Sequence, residues 1–301
     1  MNTIDKLESL SIRDLRCLET LAQTRHFGRA AQELSIAQPS LSASIQKIES
    51  VLGQKLFERT SRKVEIAPDA APILECASRA LGELSRMASH AQRGRKILSG
   101  RFTLGVIPTV APYYLPHVLT PILAQFPACE LVLREELTHD LLSSLRRGHI
   151  DAALLSLPLG ERDLVEWPLF QEELFLAAPK NHKLCRKREI SVCDIKPDEM
   201  ILLEHGHCLR AATLAVCSSD GRGCIHATSL ETLRFMVRAQ IGAAMMPALA
   251  VRGREDAEIE YLPFQNPAPS RTLGLVALKN SARSEDARVL AEFLAEIEIS
   301  I

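Results

Sequence analysis

Residues 27–52 read FGRAAQELSIAQPSLSASIQKIESVL and contain two short amphipathic blocks. Apolar residues repeat at helical spacing in both, at Phe27, Ala30, Ala31 and Leu34 and then at Leu41, Ile45, Ile48 and Leu52. Residues 35–38 are all that separates the blocks. Pro39 falls in the first turn of the second block, where a missing N–H costs little. Two helices joined by so tight a turn indicate a helix-turn-helix.

The second predicted helix leaves small and amide side chains off its apolar face. Such side chains can approach base edges, as a recognition helix requires. Residues 56–59 and 64–66 then predict two short strands around a basic turn, a wing suited to phosphate contact. The predicted DNA contacts are Gln38, Pro39, Ser40, Ser42, Gln46, Lys47, Arg59, Arg62 and Lys63. The alternative is a three-helix packing module whose polar face is only solvated.

The distribution of charge separates the head of the chain from its body. The 301 residues include 36 Lys and Arg against 37 Asp and Glu, a formal net charge of −1. Residues 1–97 hold 15 of the basic and 11 of the acidic residues, which leaves 21 and 26 for the remainder. A basic head on an acidic body fits a module that docks on phosphate. Because no apolar run has membrane length and no signal-peptide core is present, we expect a cytoplasmic protein that does not enter membranes.

Two further patterns follow the head. A longer helix is predicted from Asp69 to Arg93, and its seven-residue apolar repeat indicates either a dimerisation seam or an intrachain core helix. After Gly100, strands alternate with helices, which predicts an α/β body with a largely parallel sheet in two lobes around a cleft. The sequence contains no phosphate loop, dinucleotide fingerprint, nucleophile elbow or zinc-protease motif. We therefore expect neither an enzyme nor a bound cofactor.

Three runs in the head resemble the N-terminal signature of the LysR-type transcriptional regulators. They are Phe27-Gly28-Arg29-Ala30-Ala31, Gln38-Pro39-Ser40-Leu41-Ser42 and Leu56-Phe57-Glu58-Arg59-Thr60. The resemblance implies a winged helix-turn-helix over 1–67, a linker (dimerisation) helix over 68–97 and a regulatory domain over 98–301. It also implies, as partners, double-stranded promoter DNA, RNA polymerase and further copies of the chain in a homodimer or homotetramer.

The same resemblance implies the internal organisation of the regulatory domain. It predicts two α/β lobes like those of periplasmic binding proteins, joined by two crossover strands. Lobe I is expected over 98–172 and 272–301, and lobe II over 173–271.

Residues 205–217, HGHCLRAATLAVC, place two cysteines nine positions apart. This run resembles the redox segment of the peroxide-sensing members of the same family. The resemblance implies that hydrogen peroxide oxidises Cys208 to a sulfenic acid and that Cys217 resolves it as a disulfide. The predicted peroxide pocket consists of Thr109, Thr138, His207, Arg210 and Arg271.

Elementary chemistry supports a redox role for Cys208. A thiolate attacks peroxide, and it needs positive or hydrogen-bonding neighbours, which His207 and Arg210 offer. If residues 209–216 are helical, Cys208 also lies where the helix dipole favours an anion. Nine helical residues would hold the two sulfur-bearing Cα atoms about 13.5 Å apart, whereas a disulfide requires them within about 7 Å. We therefore expect oxidation to unwind this segment and to repack a dimer interface around it.

Two other functions fit the same residues. One is a LysR-type regulator that senses a small metabolite in the inter-lobe cleft, with the cysteines incidental. The other is a thiol peroxidase or metal-binding body fused to a DNA head. Cys224 is an alternative resolving partner. Soft metal ligands occur at His205, His207, Cys208, Cys217, Cys224 and His226. The tightly spaced cysteine pairs of zinc sites are absent from the sequence, so we expect no metal.

Overall fold

The computed structural model describes residues 7–59, 64–90, 96–217, 225–254 and 256–299. The chain divides into two compact units, one of residues 1–92 with 146–148 and the other of residues 93–145 with 149–301. Among the described residues, no helix combines the length and the apolarity needed to cross a membrane.

The first unit contains three helices, a two-stranded hairpin and a long fourth helix. Their bounds are α1 Ile12–Thr24, α2 Phe27–Glu33, α3 Gln38–Leu52, β1 Phe57–Arg59, β2 Val64–Ile66 and α4 Ala71–His90. Strands β1 and β2 pair antiparallel, with Phe57 opposite Ile66. The predicted helix-turn-helix and the two strands of the wing are therefore present, while the basic turn 60–63 lies outside the described residues.

Local sequence explains where the helices of this unit begin and end. Ser11 caps α1 through a capping box with Asp14, which satisfies N–H groups that the helix cannot pair internally. Pro39 lies in the first turn of α3, and Gly53 ends that helix with a φ of 68°. The apolar faces meet in one core, in which Leu21, Leu41 and Ile45 are fully buried. This packing holds α3 with its polar side outward.

Helix α4 begins at Ala71 rather than at the predicted residue 69 and is described as far as His90, beyond which residues 91–95 lie outside the described residues. It has the predicted apolar face. Ile73, Leu74 and Ala77 pack against the core of the head. Further along, Met87 is 65% exposed. The first half of α4 is therefore an intrachain core helix, as the alternative interpretation has it, and the seam expected in its second half stays a prediction.

The second unit alternates strands and helices. Its first half comprises β3 Gly100–Val106, α5 Ala111–Gln125, β4 Cys129–Glu135, α6 Thr138–Arg146, β5 Ala152–Leu157 and β6 Leu164–Pro179. Its second half comprises β7 Ile201–Leu203, α7 Cys208–Cys217, β8 Ile225–Ala227, α8 Leu230–Arg238, β9 Ala244–Pro247, α9 Ala248–Val251, β10 Ile259–Leu262, β11 Ser270–Leu278 and α10 Ser284–Glu296. Three short 3₁₀ turns precede β7, at Lys183–Arg186, Val192–Asp194 and Pro197–Glu199.

Strands β6 and β11 connect two separate hydrophobic cores in this unit. The first core contains Phe102, Leu104 and Leu290, and the second contains Leu176 and Met246. Along its length β6 pairs with β11 and then with β9 and β10. The two predicted lobes and their two crossover strands are therefore confirmed.

The expectation of a largely parallel sheet was wrong. Strand β3 pairs parallel with β4 and β5, and β7 pairs parallel with β8. Every pairing of β6 or β11 in the described sheet is antiparallel. The physical reason is that β6 leaves the first lobe and β11 returns to it, so the two strands run in opposite directions.

Candidate functional site

Cys208 is the first residue of α7, at the point where the two lobes meet. Gly206, with a φ of 96°, turns the chain from β7 into the helix. Cys208 is half-buried against the core of the first lobe, while Leu209 is buried in the core of the second. Because the helix N-terminus carries a partial positive charge, the first residue of α7 is a favourable place for a thiolate.

The guanidinium of Arg271 lies beside the sulfur of Cys208. Arg271 extends from the crossover strand β11, and its Nη1 is 3.8 Å from Cys208 Sγ and 2.8 Å from Thr109 Oγ1. Its Nη2 donates to the Thr109 carbonyl at 3.2 Å. Thr109 and Arg271 are both buried. A cation, a hydroxyl and a thiol thus lie close together in the folded chain. Arg271 and Thr109 are 162 residues apart in the sequence.

A buried carboxylate completes this cluster. Glu172 on β6 is fully buried and accepts a hydrogen bond from Arg271 Nε at 2.7 Å. Sequence reasoning did not select Glu172. The available signal was an acidic pair, Glu172 and Glu173, inside a mostly apolar strand. Only the structure distinguishes the buried member of the pair from the exposed one.

Two of the remaining predicted pocket residues, Thr138 and His207, carry buried polar groups. Thr138 begins α6, and its hydroxyl is buried with no hydrogen-bond partner among the described residues. His207 precedes Cys208 and is buried. Burial lowers the pKa of His207, and this outweighs the opposing effects of the Thr228 backbone and the charge of Glu204. His207 is therefore neutral near pH 7, and a neutral imidazole has one nitrogen that donates a hydrogen bond and one that accepts.

Arg210 has a different environment from the one expected. Its Nη1 donates to the Leu203 carbonyl at 2.8 Å, and no hydrogen bond joins it to Cys208 or Thr109 in the described part of the chain. Two positions along an α-helix amount to a rotation of about 200°, so Arg210 and Cys208 project from opposite faces of α7. The positive neighbour of Cys208 is Arg271 instead, a residue distant in sequence.

Cys217 is the last residue of α7, which confirms a helix between the two cysteines. The side chain of Cys217 and the whole of Cys224 lie outside the described residues. Within the described residues, no three His, Cys, Asp or Glu side chains are arranged to hold a metal ion.

The predicted DNA-contacting residues of α3 lie on its solvent side. Gln38, Pro39, Ser40 and Gln46 are exposed, and Ser42 is half-exposed. Lys47 is exposed as well, but its Nζ is 2.8 Å from Asp14 Oδ2. The side chain of Arg59, together with Arg62 and Lys63, lies outside the described residues.

Lys47 also changes the ionisation of its partner. Burial raises the pKa of Asp14, but hydrogen bonds from Lys47 and Ser11 lower it more, to about 2. The ion pair joins α1 to α3 and so orients the recognition helix within the head.

Known proteins with this architecture define the class. The family model for the bacterial regulatory helix-turn-helix protein of the LysR family matches residues 12–71, and the model for the LysR substrate binding domain matches residues 95–297. The chain belongs to the LysR family of DNA-binding transcriptional regulators.

Within that family the chain is similar to OxyR. It is 38% identical over 287 residues to the DNA-binding transcriptional dual regulator OxyR of Escherichia coli K12, with 94% of each chain covered. Its structure resembles a full-length OxyR variant from Pseudomonas aeruginosa, with a TM-score of 0.75, 32% identity, and 96% and 95% of the two chains covered. It also resembles a Corynebacterium glutamicum OxyR cysteine variant with bound H₂O₂, with a TM-score of 0.65, 31% identity, and 96% and 92% covered.

Proposed function

We propose that this protein is a peroxide-responsive transcriptional regulator in which Cys208 is the sensor and Cys217 the resolving cysteine. The observation that carries the proposal is the placement of Arg271 Nη1 3.8 Å from Cys208 Sγ and 2.8 Å from Thr109 Oγ1. A thiolate nucleophile needs positive charge and hydrogen-bond donors next to it. The hydroxyl of Thr138, which has no hydrogen-bond partner within the described ranges, and the neutral His207 are further polar groups for a small hydroxylic oxidant.

The first chemical step is the oxidation of Cys208 by hydrogen peroxide. The thiolate attacks one peroxide oxygen, an S–O bond forms and the O–O bond breaks. Two electrons pass from sulfur to peroxide, and the leaving hydroxide takes up a proton to become water. In this proposal Arg271 donates to the oxygen that becomes negative as the O–O bond breaks, and the hydroxyl of Thr109 orients the peroxide.

The second step joins the two cysteines. The Cys217 thiolate attacks the sulfenic sulfur of Cys208, a disulfide forms and the sulfenic oxygen departs as water. Because α7 separates the two residues by about 13.5 Å between Cα atoms, the bond requires the helix to unwind. The oxidised segment then presents a different surface to neighbouring copies of the chain, and this changes the spacing of the DNA-binding heads.

The DNA-binding part of the function rests on the first unit. Its exposed α3 residues read base edges in the major groove, and the wing with Arg62 and Lys63 contacts phosphate. Two heads in a homodimer, and two dimers in a homotetramer, engage the half-sites of promoter DNA. RNA polymerase is the partner that an activator of this class recruits, and the protein acts in the cytoplasm. It is not an enzyme in the metabolic sense, although Cys208 undergoes a chemical cycle.

The decisive experiment is promoter footprinting with and without peroxide. In the wild type, peroxide should change the protected region, and thiol mass spectrometry should show a Cys208–Cys217 crosslink. Cys208→Ser should bind DNA but show the same footprint under both conditions. Cys193→Ser, which removes an exposed cysteine of the same unit, is the matched control and should respond normally.

The alternatives give different outcomes in the same experiment. A Cys208→Ser variant that still responds to peroxide contradicts the proposal. A footprint that ignores peroxide but changes with a small metabolite indicates a regulator with incidental cysteines. Sustained peroxide consumption at enzyme-like rates in the presence of a thiol reductant indicates a peroxidase.

A further inference from the structure

Glu172 and Arg271 are directly opposite each other on the two crossover strands. They are register partners in the antiparallel pairing of β6 with β11. The carboxylate of Glu172 is fully buried, and each of its oxygens has a different donor. Oε2 accepts from Arg271 Nε at 2.7 Å, and Oε1 accepts from the backbone N–H of Leu249 in α9 at 2.9 Å.

We propose that Glu172 is a positioning residue for the oxidation of Cys208, acting through Arg271. The inference rests on the proposed function, because it concerns the same reaction. In the described part of the chain the carboxylate of Glu172 is hydrogen-bonded to Arg271 and Leu249, and not to the sulfur of Cys208. It holds the guanidinium by Nε, so that the two Nη groups are directed at Thr109 and Cys208.

The geometry of the guanidinium explains why one anchor decides the whole orientation. Arginine presents its N–H donors in a rigid planar fork. Once Nε is bound to a fixed carboxylate, the directions of Nη1 and Nη2 are set as well. Glu172 is itself fixed, because its second oxygen is bound to the backbone of Leu249. Arg271 is therefore oriented before the reaction begins. A donor that is already oriented stabilises the charge that develops in the transition state most effectively.

The chemistry of both positions requires a carboxylate of this length. Glutamine offers one acceptor oxygen, so it can satisfy either Arg271 or the Leu249 N–H, and it places an NH₂ group against the other donor. Aspartate keeps two oxygens but is shorter by one methylene. Loss of the carboxylate also leaves the buried guanidinium without its counter-charge. In every case the two Nη groups lose their fixed direction, while the charge of Arg271 stays in the buried cluster.

This last point separates positioning from mere structural support. Alkylation of Cys208 by iodoacetamide requires an available thiolate but no donor to a departing oxygen. Oxidation by peroxide requires both. A variant that misorients Arg271 should therefore react more slowly with peroxide than the wild type, yet about equally fast with iodoacetamide.

The test measures both rates at Cys208 in the full-length protein by peptide mass spectrometry. We expect Glu172→Gln and Glu172→Asp to lower the peroxide rate about tenfold or more, because each variant weakens a hydrogen bond between charged groups. Both variants should change the iodoacetamide rate less than about threefold. Arg271→Lys should show the same selective loss, and combining it with Glu172→Gln should add little further. Glu173→Gln, at the neighbouring and exposed glutamate, is the matched control and should react like the wild type.

Two results would overturn the inference. One is a folded Glu172→Gln variant with the wild-type peroxide rate. The other is an equal loss of both rates in Glu172→Gln and Glu172→Asp, which would mean that Glu172 only supports the fold. Folding is checked by urea unfolding followed through Trp167, the single tryptophan of the chain. If Glu172→Gln does not fold, Glu172→Asp, which keeps the charge, decides the comparison. A wild-type Cys208 no faster with peroxide than the exposed Cys76 would refute the proposed function instead.

Discussion

Cys208 and Cys217 are the first and last residues of one ten-residue helix. A rise of about 1.5 Å per residue separates their Cα atoms by about 13.5 Å, about twice the separation of about 7 Å that a disulfide tolerates. The intact helix and the disulfide are therefore mutually exclusive. The proposed disulfide therefore requires a change of backbone structure in this segment.

Oxidation should unwind α7. After a stoichiometric peroxide pulse, the amides of residues 208–217 should exchange hydrogen for deuterium faster, whereas those of α8, at Leu230–Arg238, should not change. Cys217→Ser should accumulate the sulfenic acid at Cys208 without faster exchange, because no crosslink pulls on the helix. Unchanged exchange in a wild-type protein whose disulfide has been verified by mass spectrometry would contradict the mechanism.

Gly206→Ala should slow the oxidation of Cys208. Gly206 has a φ of 96°, which side chains disfavour, and an added Cβ would lie 3.0 Å from Leu137 Cδ1. Strain of about 1–3 kcal/mol would be relieved by moving the start of α7, and with it Cys208, away from Arg271. We expect a peroxide rate about tenfold lower, equivalent to about 1.4 kcal/mol. Gly160→Ala, also at positive φ but with no atom near the added Cβ, is the control.

Tyr113→Phe should weaken the closure of the two lobes. Tyr113 on α5 donates to Glu231 Oε1 on α8 at 2.9 Å, and this hydrogen bond spans the lobes. Its loss should lower the free energy of unfolding by about 1.5–3 kcal/mol, measured by urea unfolding through Trp167. Tyr114→Phe removes a neighbouring buried hydroxyl that has no hydrogen-bond partner in the described structure, so it should not destabilise the protein. Equal destabilisation by both variants would argue against the Glu231 bond.

The same tyrosine predicts a dependence on alkaline pH. Burial first, and then the hydrogen bond to Glu231, raise the pKa of Tyr113 to about 12 from its ordinary value of 10. The pKa is raised because the folded chain favours the neutral phenol over the phenolate. The stabilisation of the folded state by Tyr113 is therefore complete below pH 10 and disappears as the pH rises through about 12. The stability difference between wild type and Tyr113→Phe should shrink over that interval.

Asp14→Asn should destabilise the head, and the size of the destabilisation should depend on pH. The pKa of Asp14 is about 2 in the folded chain against an ordinary 3.8, so the ionised carboxylate stabilises the folded state by about 2 kcal/mol. This contribution is present above pH 3.8 and is lost as the pH falls through about 2. Hydrogen exchange of α1 and α3 at matched pH should show the difference near neutrality and lose it in acid. The exposed Glu33→Gln is the control, and a difference independent of pH would contradict the assignment.

How far the sequence could predict the fold depended on the range of the interactions involved. The apolar repeats that predicted the helix-turn-helix are local, and α3 extends over Gln38–Leu52 as expected. The helix that the sequence analysis considered over 209–216 is present, with one more residue at each end. Strand direction could not be predicted in the same way, because β6 and β11 meet only after the chain has completed the second lobe.

The sequence by itself determined the class of the protein and selected Cys208 as the proposed sensor, because both depend on runs of neighbouring residues. Only the tertiary structure decided which cation faces Cys208. Arg210 was the nearest candidate along the chain, but helical rotation takes it to the opposite face, and Arg271 replaces it from 63 positions away. Glu172 was not selected from the sequence because its partner is 99 residues distant. Periodicity reports which face of an element is buried, but the contacts within a buried site are made by strands that meet only in the folded chain.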